Sequence, residues 1–116
     1  MKDRQRINQC LKNIDRSYKL IPNNVRIHNS NDLKHELAKT KVCYLLQQQG
    51  LEYYTETTFV GKKGRADILV PSKFLIIEIL NSETESEVLS KYEYYPEGMD
   101  ISYYTVDEVM SNEFII

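Results

Sequence analysis

Apolar residues at Ile7, Cys10, Leu11, Ile14, Tyr18 and Ile21 recur at steps of three and four, which predicts a helix from Asp3 to Ile21 with one inward face. Arg4, Lys12, Arg16 and Lys19 fall off that stripe. Pro22-Asn23-Asn24 stops the helix, and an extended piece, Val25-Arg26-Ile27, leads to a second start signal at Asn29-Ser30-Asn31. There Leu33, Leu37, Thr40-Lys41, Tyr44 and Leu45 continue a helical period over about residues 31–49, with Asp32 at the positive end of the dipole and Gly50 as a left-handed stop. Beyond Gly50 the pattern becomes the alternation of a strand, from Leu51 to Val60. A basic turn, Gly61-Lys62-Lys63-Gly64, precedes two further strands, and the second of these, Phe74 to Leu80, is apolar on both faces, as suits the middle of a sheet. Asn81 to Tyr95 reads as a helix with Val88, Leu89 and Tyr92 inward and Glu83, Glu85 and Glu87 in its first turn. Pro96-Glu97-Gly98 ends it. A strand over 101–106, a short helix near Asp107 to Met110 and the tail Phe114-Ile115-Ile116 complete the order.

Two charges interrupt the apolar strands. If the chain turns about Ser72-Lys73, residues whose numbers add to 145 face each other, and Asp67 and Glu78 are such a pair. A four-residue loop on the same centre keeps that pairing, whereas an odd-length loop shifts it by one. Facing Cβ atoms lie roughly 4.5 to 5.5 Å apart. Two buried anions that close repel, and either a proton on one of them or a divalent cation between them relieves the repulsion. The pair therefore suggests a metal site.

At 116 residues the chain fits one domain with a real core. Its net charge of -2 is unevenly spread: residues 1–28 carry seven Lys or Arg against two Asp, and the rest carry eight against fifteen acids. The basic end permits contact with nucleic acid, while the acidic remainder argues against indiscriminate DNA coating. Cys10 and Cys43 have no C-x-x-C partner, which points away from a zinc site or a disulfide framework. No apolar run approaches a membrane span, and the charged start lacks a signal-peptide core, so the expectation is a soluble, cytoplasmic chain with no membrane partner.

A helix ending in glycine, a strand, a basic turn, Gly64-Arg65-Ala66-Asp67 and then Ile76-Ile77-Glu78-Ile79 together resemble the PD-(D/E)XK nuclease superfamily. Within it the likeness is to small archaeal Holliday junction resolvases and restriction-type nucleases, over about residues 30–106. The resemblance implies a restriction-endonuclease-like α/β fold, a mixed sheet of four or five strands flanked by helices. The basic amino-terminal helix and connector, residues 1–28, would precede a core of 29–116. It further implies that Glu36, Asp67 and Glu78 form the acidic set, with Asp67, Glu78 and the Ile79 carbonyl holding magnesium or manganese. The chain departs from the pattern at Leu80, where the family places a lysine. Lys91, the only Lys or Arg after Lys73, opens a Lys91-x-x-x-Tyr95 spacing that resembles the Gln-x-x-x-Tyr of recombination-type nucleases, and is the candidate for a relocated catalytic lysine.

The function expected on this basis is a divalent-metal-dependent DNA endonuclease acting on branched or damaged duplex. Lys62, Lys63, Arg65, Arg4 and Arg16 are its candidate nucleic-acid contacts, although a basic turn between strands is also an ordinary solubility device. A homodimer would suit symmetric cutting. The alternative is a catalytically inactive nuclease-fold module that binds nucleic acid or a protein. His28 and His35, with no partner at ligand spacing, read as ordinary boundary residues.

Overall fold

The computed structural model describes residues 2–15, 20–62, 64–81 and 85–116; Arg16, Tyr18, Lys19, Lys63 and Glu83 lie outside them. A four-stranded mixed sheet, in the order β1-β2-β3-β4, forms the centre. Its strands are β1 (Tyr54–Thr58), β2 (Arg65–Val70), β3 (Leu75–Leu80) and β4 (Asp100–Thr105). β1, β2 and β3 are antiparallel neighbours, and β4 lies parallel to β3 after a crossover. Helices α1 (Lys2–Leu11) and α2 (Leu33–Gln48) precede the sheet, α3 (Glu85–Ser90) lies in the crossover, and α4 (Val106–Met110) follows β4. One core, with Val42, Leu46, Ile68, Ile77 and Val109, lies between α2, the sheet and α4. The other packs Ile7, Cys10 and Leu11 of α1 against Leu69 and Ile76 on the opposite face.

The β2–β3 register has Ile68 facing Ile77, Leu69 facing Ile76 and Val70 facing Leu75, the register centred between Ser72 and Lys73. The connection is four residues: a 3-10 turn at Pro71–Lys73, then Phe74 in the left-handed region at φ 48°. An even loop preserves the pairing, so Asp67 and Glu78 come abreast just beyond the last ladder pair.

Several expected elements are placed differently. The first helix stops at Leu11, not Ile21, because Ile14 leaves it to bridge Phe59, while Asp15 N–H donates to Thr58 O (2.9 Å) and Val60 N–H to Asn13 O (2.9 Å). Ile14 is still buried, so helical spacing concealed the change of structure. The first strand is five residues, not ten, and its edge is covered by the connector: Asn23 N–H donates to Tyr53 O and Arg26 N–H to Thr55 Oγ1. The long helix expected over 81–95 is α3 followed by a 3-10 turn at Lys91–Tyr94; Val88 is buried, but Leu89 faces solvent.

The largest revision concerns α2. Asp32 caps it, accepting from His35 N–H at 2.9 Å. The inward face, however, is His35, Glu36, Ala38, Lys39, Val42, Cys43 and Leu46, while Leu33, Leu37, Thr40 and Tyr44 point outward. Ala38, Val42 and Cys43 allow a close approach to the sheet, and the charged residues on the same face meet acids on β1 and β2.

Gly64 brings the basic turn onto the segment after α3. A Cβ there would lie 2.7 Å from Tyr94 Cβ and 3.0 Å from Tyr95 Cε1. Gly64→Ala is therefore expected to lower stability by about 1–3 kcal/mol through forced displacement of the tyrosines. A urea midpoint equal to wild type would refute this.

Candidate functional site

The strand registers set three acids abreast. Thr55 faces Ile68 and Thr57 faces Ala66, so Glu56 stands opposite Asp67 on one side, and Glu78 stands opposite it on the other. Glu56 has φ 52°, a backbone conformation that non-glycine residues adopt at a cost of about 1–3 kcal/mol. Beyond Ile68 and Ile77, side chains take over from the β2–β3 ladder. Ile79 N–H donates to Asp67 Oδ2 at 2.8 Å, and Asp67 N–H donates to Glu78 Oε2 at 3.3 Å. Tyr95 O–H donates to Glu78 Oε1.

Glu78 is buried. Desolvation and the Asp67 charge raise its pKa well above the ordinary carboxylate range, against the opposing pull of the Lys91 ammonium. Burial also disfavours the charge on Asp67, but hydrogen bonds from His35 and Glu78, the His35 charge and the Ile79 amide together hold its pKa below normal. Of the two, Glu78 is thus the carboxyl group whose protonated form is favoured, and Asp67 the one held ionised.

His35 joins this pair to a larger ionic network. Its Nε2 is 3.2 Å from Asp67 Oδ2 and its Nδ1 is 3.2 Å from Glu36 Oε1. Glu36 Oε2 accepts from His28 N–H at 3.1 Å and from Lys39 Nζ at 2.9 Å, and Glu36 Oε1 from Asn31 Nδ2 at 2.9 Å. Lys39, fully buried, also donates to Glu56 Oε1 at 2.8 Å and to Arg26 O. Arg65 Nε closes the far end on Glu56 Oε2 at 2.8 Å. Three cations, His35, Lys39 and Arg65, thereby offset Glu36, Glu56 and Asp67.

Burial disfavours a charged imidazole at His35, yet the Asp67 and Glu36 carboxylates outweigh it and raise its pKa to about 9. A folded pKa above the unfolded value of about 6.5 contributes stability that is complete below pH 6.5 and lost as pH rises through about 9. The metal-free protein is expected to lose roughly 3 kcal/mol across that window. His35→Gln should flatten this part of the stability–pH curve; a profile unchanged by that substitution would refute the assignment.

The acids expected from the sequence are brought together unequally. Asp67 and Glu78 touch, and Ile79 meets Asp67 through its N–H. Glu36 reaches them only through His35, and its oxygens are occupied by protein donors. Lys91 is half-buried on the 3-10 turn beside the pair, near enough for its charge to act on Glu78. Of the proposed nucleic-acid contacts, Lys62 is exposed and lines an open cleft of about 410 Å³ with Tyr94 and Glu93. Arg65 is held by Glu56, and Arg4 makes a paired contact with Glu52 at 3.2 and 3.3 Å. Arg16 and Lys63 fall outside the described residues.

Sequence reasoning missed His35, Lys39 and Glu56. The available signal was that Ala38, Val42, Cys43 and Leu46 share a helical face with His35, Glu36 and Lys39, but the rival stripe of Leu33, Leu37 and Tyr44 carries fewer charges and reads as the inward one. Among the described residues no three His, Cys, Asp or Glu side chains are grouped as a ready cation cage, so a cation here would rest on the Asp67–Glu78 pair, backbone oxygen and water. Among the described residues no helix is long and apolar enough to cross a membrane. No protein-family model, curated protein or solved structure matches the chain.

Proposed function

We propose that this chain is a divalent-metal-dependent DNA endonuclease of the PD-(D/E)XK kind, with magnesium or manganese at the Asp67–Glu78 pair. The observation that carries the reading is the pair itself: two touching carboxyl groups at the end of a hairpin, one of them driven to keep its proton. A site where burial and a neighbouring carboxylate both disfavour the ionised form of Glu78 is well matched to a dication, which would neutralise both carboxylates at once. Asp67, Glu78 and the Ile79 carbonyl would hold the ion, which supplies Lewis-acid polarisation of the scissile phosphate.

The chain's own groups have separate tasks in this proposal. Ile79 N–H and His35 hold the Asp67 carboxylate in place, and the Tyr95 hydroxyl holds Glu78. Lys91, on the turn after α3, would offer its ammonium to the phosphate charge that develops during attack, the task that Leu80 cannot perform. The exposed Lys62 beside Tyr94 would take a flanking phosphate.

The second reading, an inactive binding module, is favoured by Leu80 and by the saturation of Glu36 and Lys39 with internal partners. Incubating wild type with linear, nicked and four-way DNA in magnesium or manganese separates the two. Cleavage is expected, and Lys91→Ala should reduce it about 10²-fold or more while leaving manganese affinity unchanged. Cleavage of none of these DNAs with either metal would support the inactive module.

A further inference from the structure

Tyr53, Tyr54 and Tyr95 are buried and donate their hydroxyls to Gln47 Oε1, Glu52 Oε2 and Glu78 Oε1. Tyr94 and Tyr103 differ: they are 37% and 36% exposed, and among the described residues neither hydroxyl has a hydrogen-bond partner. Both stand next to the acidic pair. The parallel β3–β4 register sets Tyr103 beside Glu78, so the two side chains leave the sheet on the same face. Tyr94 directly precedes Tyr95, whose hydroxyl holds Glu78, and its Cβ would lie 2.7 Å from a Cβ at Gly64, just before β2. One ring therefore lies on the β2 side of Glu78 and the other on the β4 side.

We propose that Tyr94 and Tyr103 stack on unpaired bases to either side of the scissile phosphate, so that the substrate is DNA with unpaired nucleotides at the point of cutting and not continuous duplex. The inference rests on the nuclease reading and names its substrate class. The distribution of charge argues for it. Duplex DNA carries one negative charge per about 1.7 Å of axis, and docking it takes many free cations. Residues 29–116 carry eight Lys or Arg against fifteen acids. Of those cations Lys39 is buried between Glu36 and Glu56, Arg65 is held by Glu56, and Lys41 is turned to Ser111 O at 2.9 Å. In α1, Arg4 is paired with Glu52, and Arg6 lies 6.0 Å from the centre of the Phe74 ring, at the turned end of the hairpin and away from the acidic pair.

An unpaired strand brings fewer phosphates and offers the faces of its bases, which an aromatic ring accepts whatever the sequence. In continuous duplex those faces are stacked on one another and closed to the tyrosines. Both rings are set in place before any ligand arrives, Tyr103 by a strand paired along its length with β3 and Tyr94 by the close approach of Gly64, so little freedom is lost on stacking. Lys62 lines the same cleft as Tyr94 and meets the phosphate that follows the stacked base.

Fluorescence anisotropy without added metal tests the proposal by comparing a labelled oligothymidylate with a duplex of equal length. Wild type is expected to bind the single strand at least about tenfold more tightly than the duplex. Tyr94→Leu and Tyr103→Leu should each weaken single-strand binding about tenfold, with circular dichroism and manganese affinity unchanged, while Tyr103→Phe, which keeps the ring face, stays within about twofold of wild type. With manganese present, cleavage should follow the same order. Tyrosine-dependent binding of the single strand with no cleavage of any DNA would end the nuclease reading and leave the stacking site standing. Duplex bound as tightly as single strand, no binding of either, wild-type affinity in both leucine variants, or a loss in Tyr103→Phe equal to that in Tyr103→Leu would each overturn the proposal.

Discussion

Replacing Lys39 with methionine is expected to destabilise the fold by about 3–5 kcal/mol, a large part of the 5–15 kcal/mol that holds a domain together. The Lys39 ammonium is fully buried and is shared by Glu36 at 2.9 Å and Glu56 at 2.8 Å. Methionine fills much the same space but leaves two buried carboxylates facing each other without the cation between them. Arg65 and His35 still touch one acid each, so the loss falls on the joint between α2 and β1. Urea unfolding at pH 7 measures it. Adding Glu36→Gln and Glu56→Gln to the methionine variant should recover much of the loss, since neutralising a whole ionic set is tolerated where removing one member is not. A Lys39→Met midpoint near that of wild type would show that the network contributes little.

Glu78→Gln is expected to separate folding from chemistry. Burial and the Asp67 charge already disfavour the ionised form of Glu78, so a neutral amide of the same shape, with its oxygen toward the Tyr95 hydroxyl, gives up only the acceptor that Oε2 offers to the Asp67 N–H. Stability without metal should fall by no more than about 1 kcal/mol. Metal binding should be lost, because an amide cannot become the second anionic ligand, and cleavage should fall about 10³-fold or more. Thermal melts with and without manganese measure the first two effects. Wild type at 100 times its dissociation constant should gain about 2.7 kcal/mol, and the variant almost nothing. Equal manganese stabilisation of both proteins, or wild-type cleavage by the variant, would remove Glu78 from the site.

Much of the sheet was legible because its signals are local. The run from Leu75 to Leu80, apolar on both faces, marks a central strand, and it does lie between β2 and β4. Strand alternation and an even-length connection together imply that residues adding to 145 pair, and three observed pairs do. That arithmetic alone pairs Asp67 with Glu78. Asp32 likewise declared the start of α2 through its own side chain.

What surrounds the acidic pair was decided by tertiary structure. Periodicity locates a helix and its stripe, but α2 carries two stripes, and what lies across from it determines which turns inward. Leu33, Leu37 and Tyr44 form the one with fewer charges, yet the other is buried, because Ala38, Val42, Cys43 and Leu46 pack on the sheet while Lys39 meets Glu56 and His35 meets Asp67. Those partners lie 17 and 32 residues away, beyond any local pattern. The same holds for Tyr95, which follows a 3-10 turn where a continuous helix was expected and meets Glu78, 17 residues away. Sequence by itself located the hairpin and offered a register with the two carboxyls facing, since backbone pairing is short-range, and the four-residue connection in the structure decided for that register. Which face of α2 turns inward, and the long-range ion pairs its buried charges make there, follow from the apolar and acidic groups that meet it once the chain has folded.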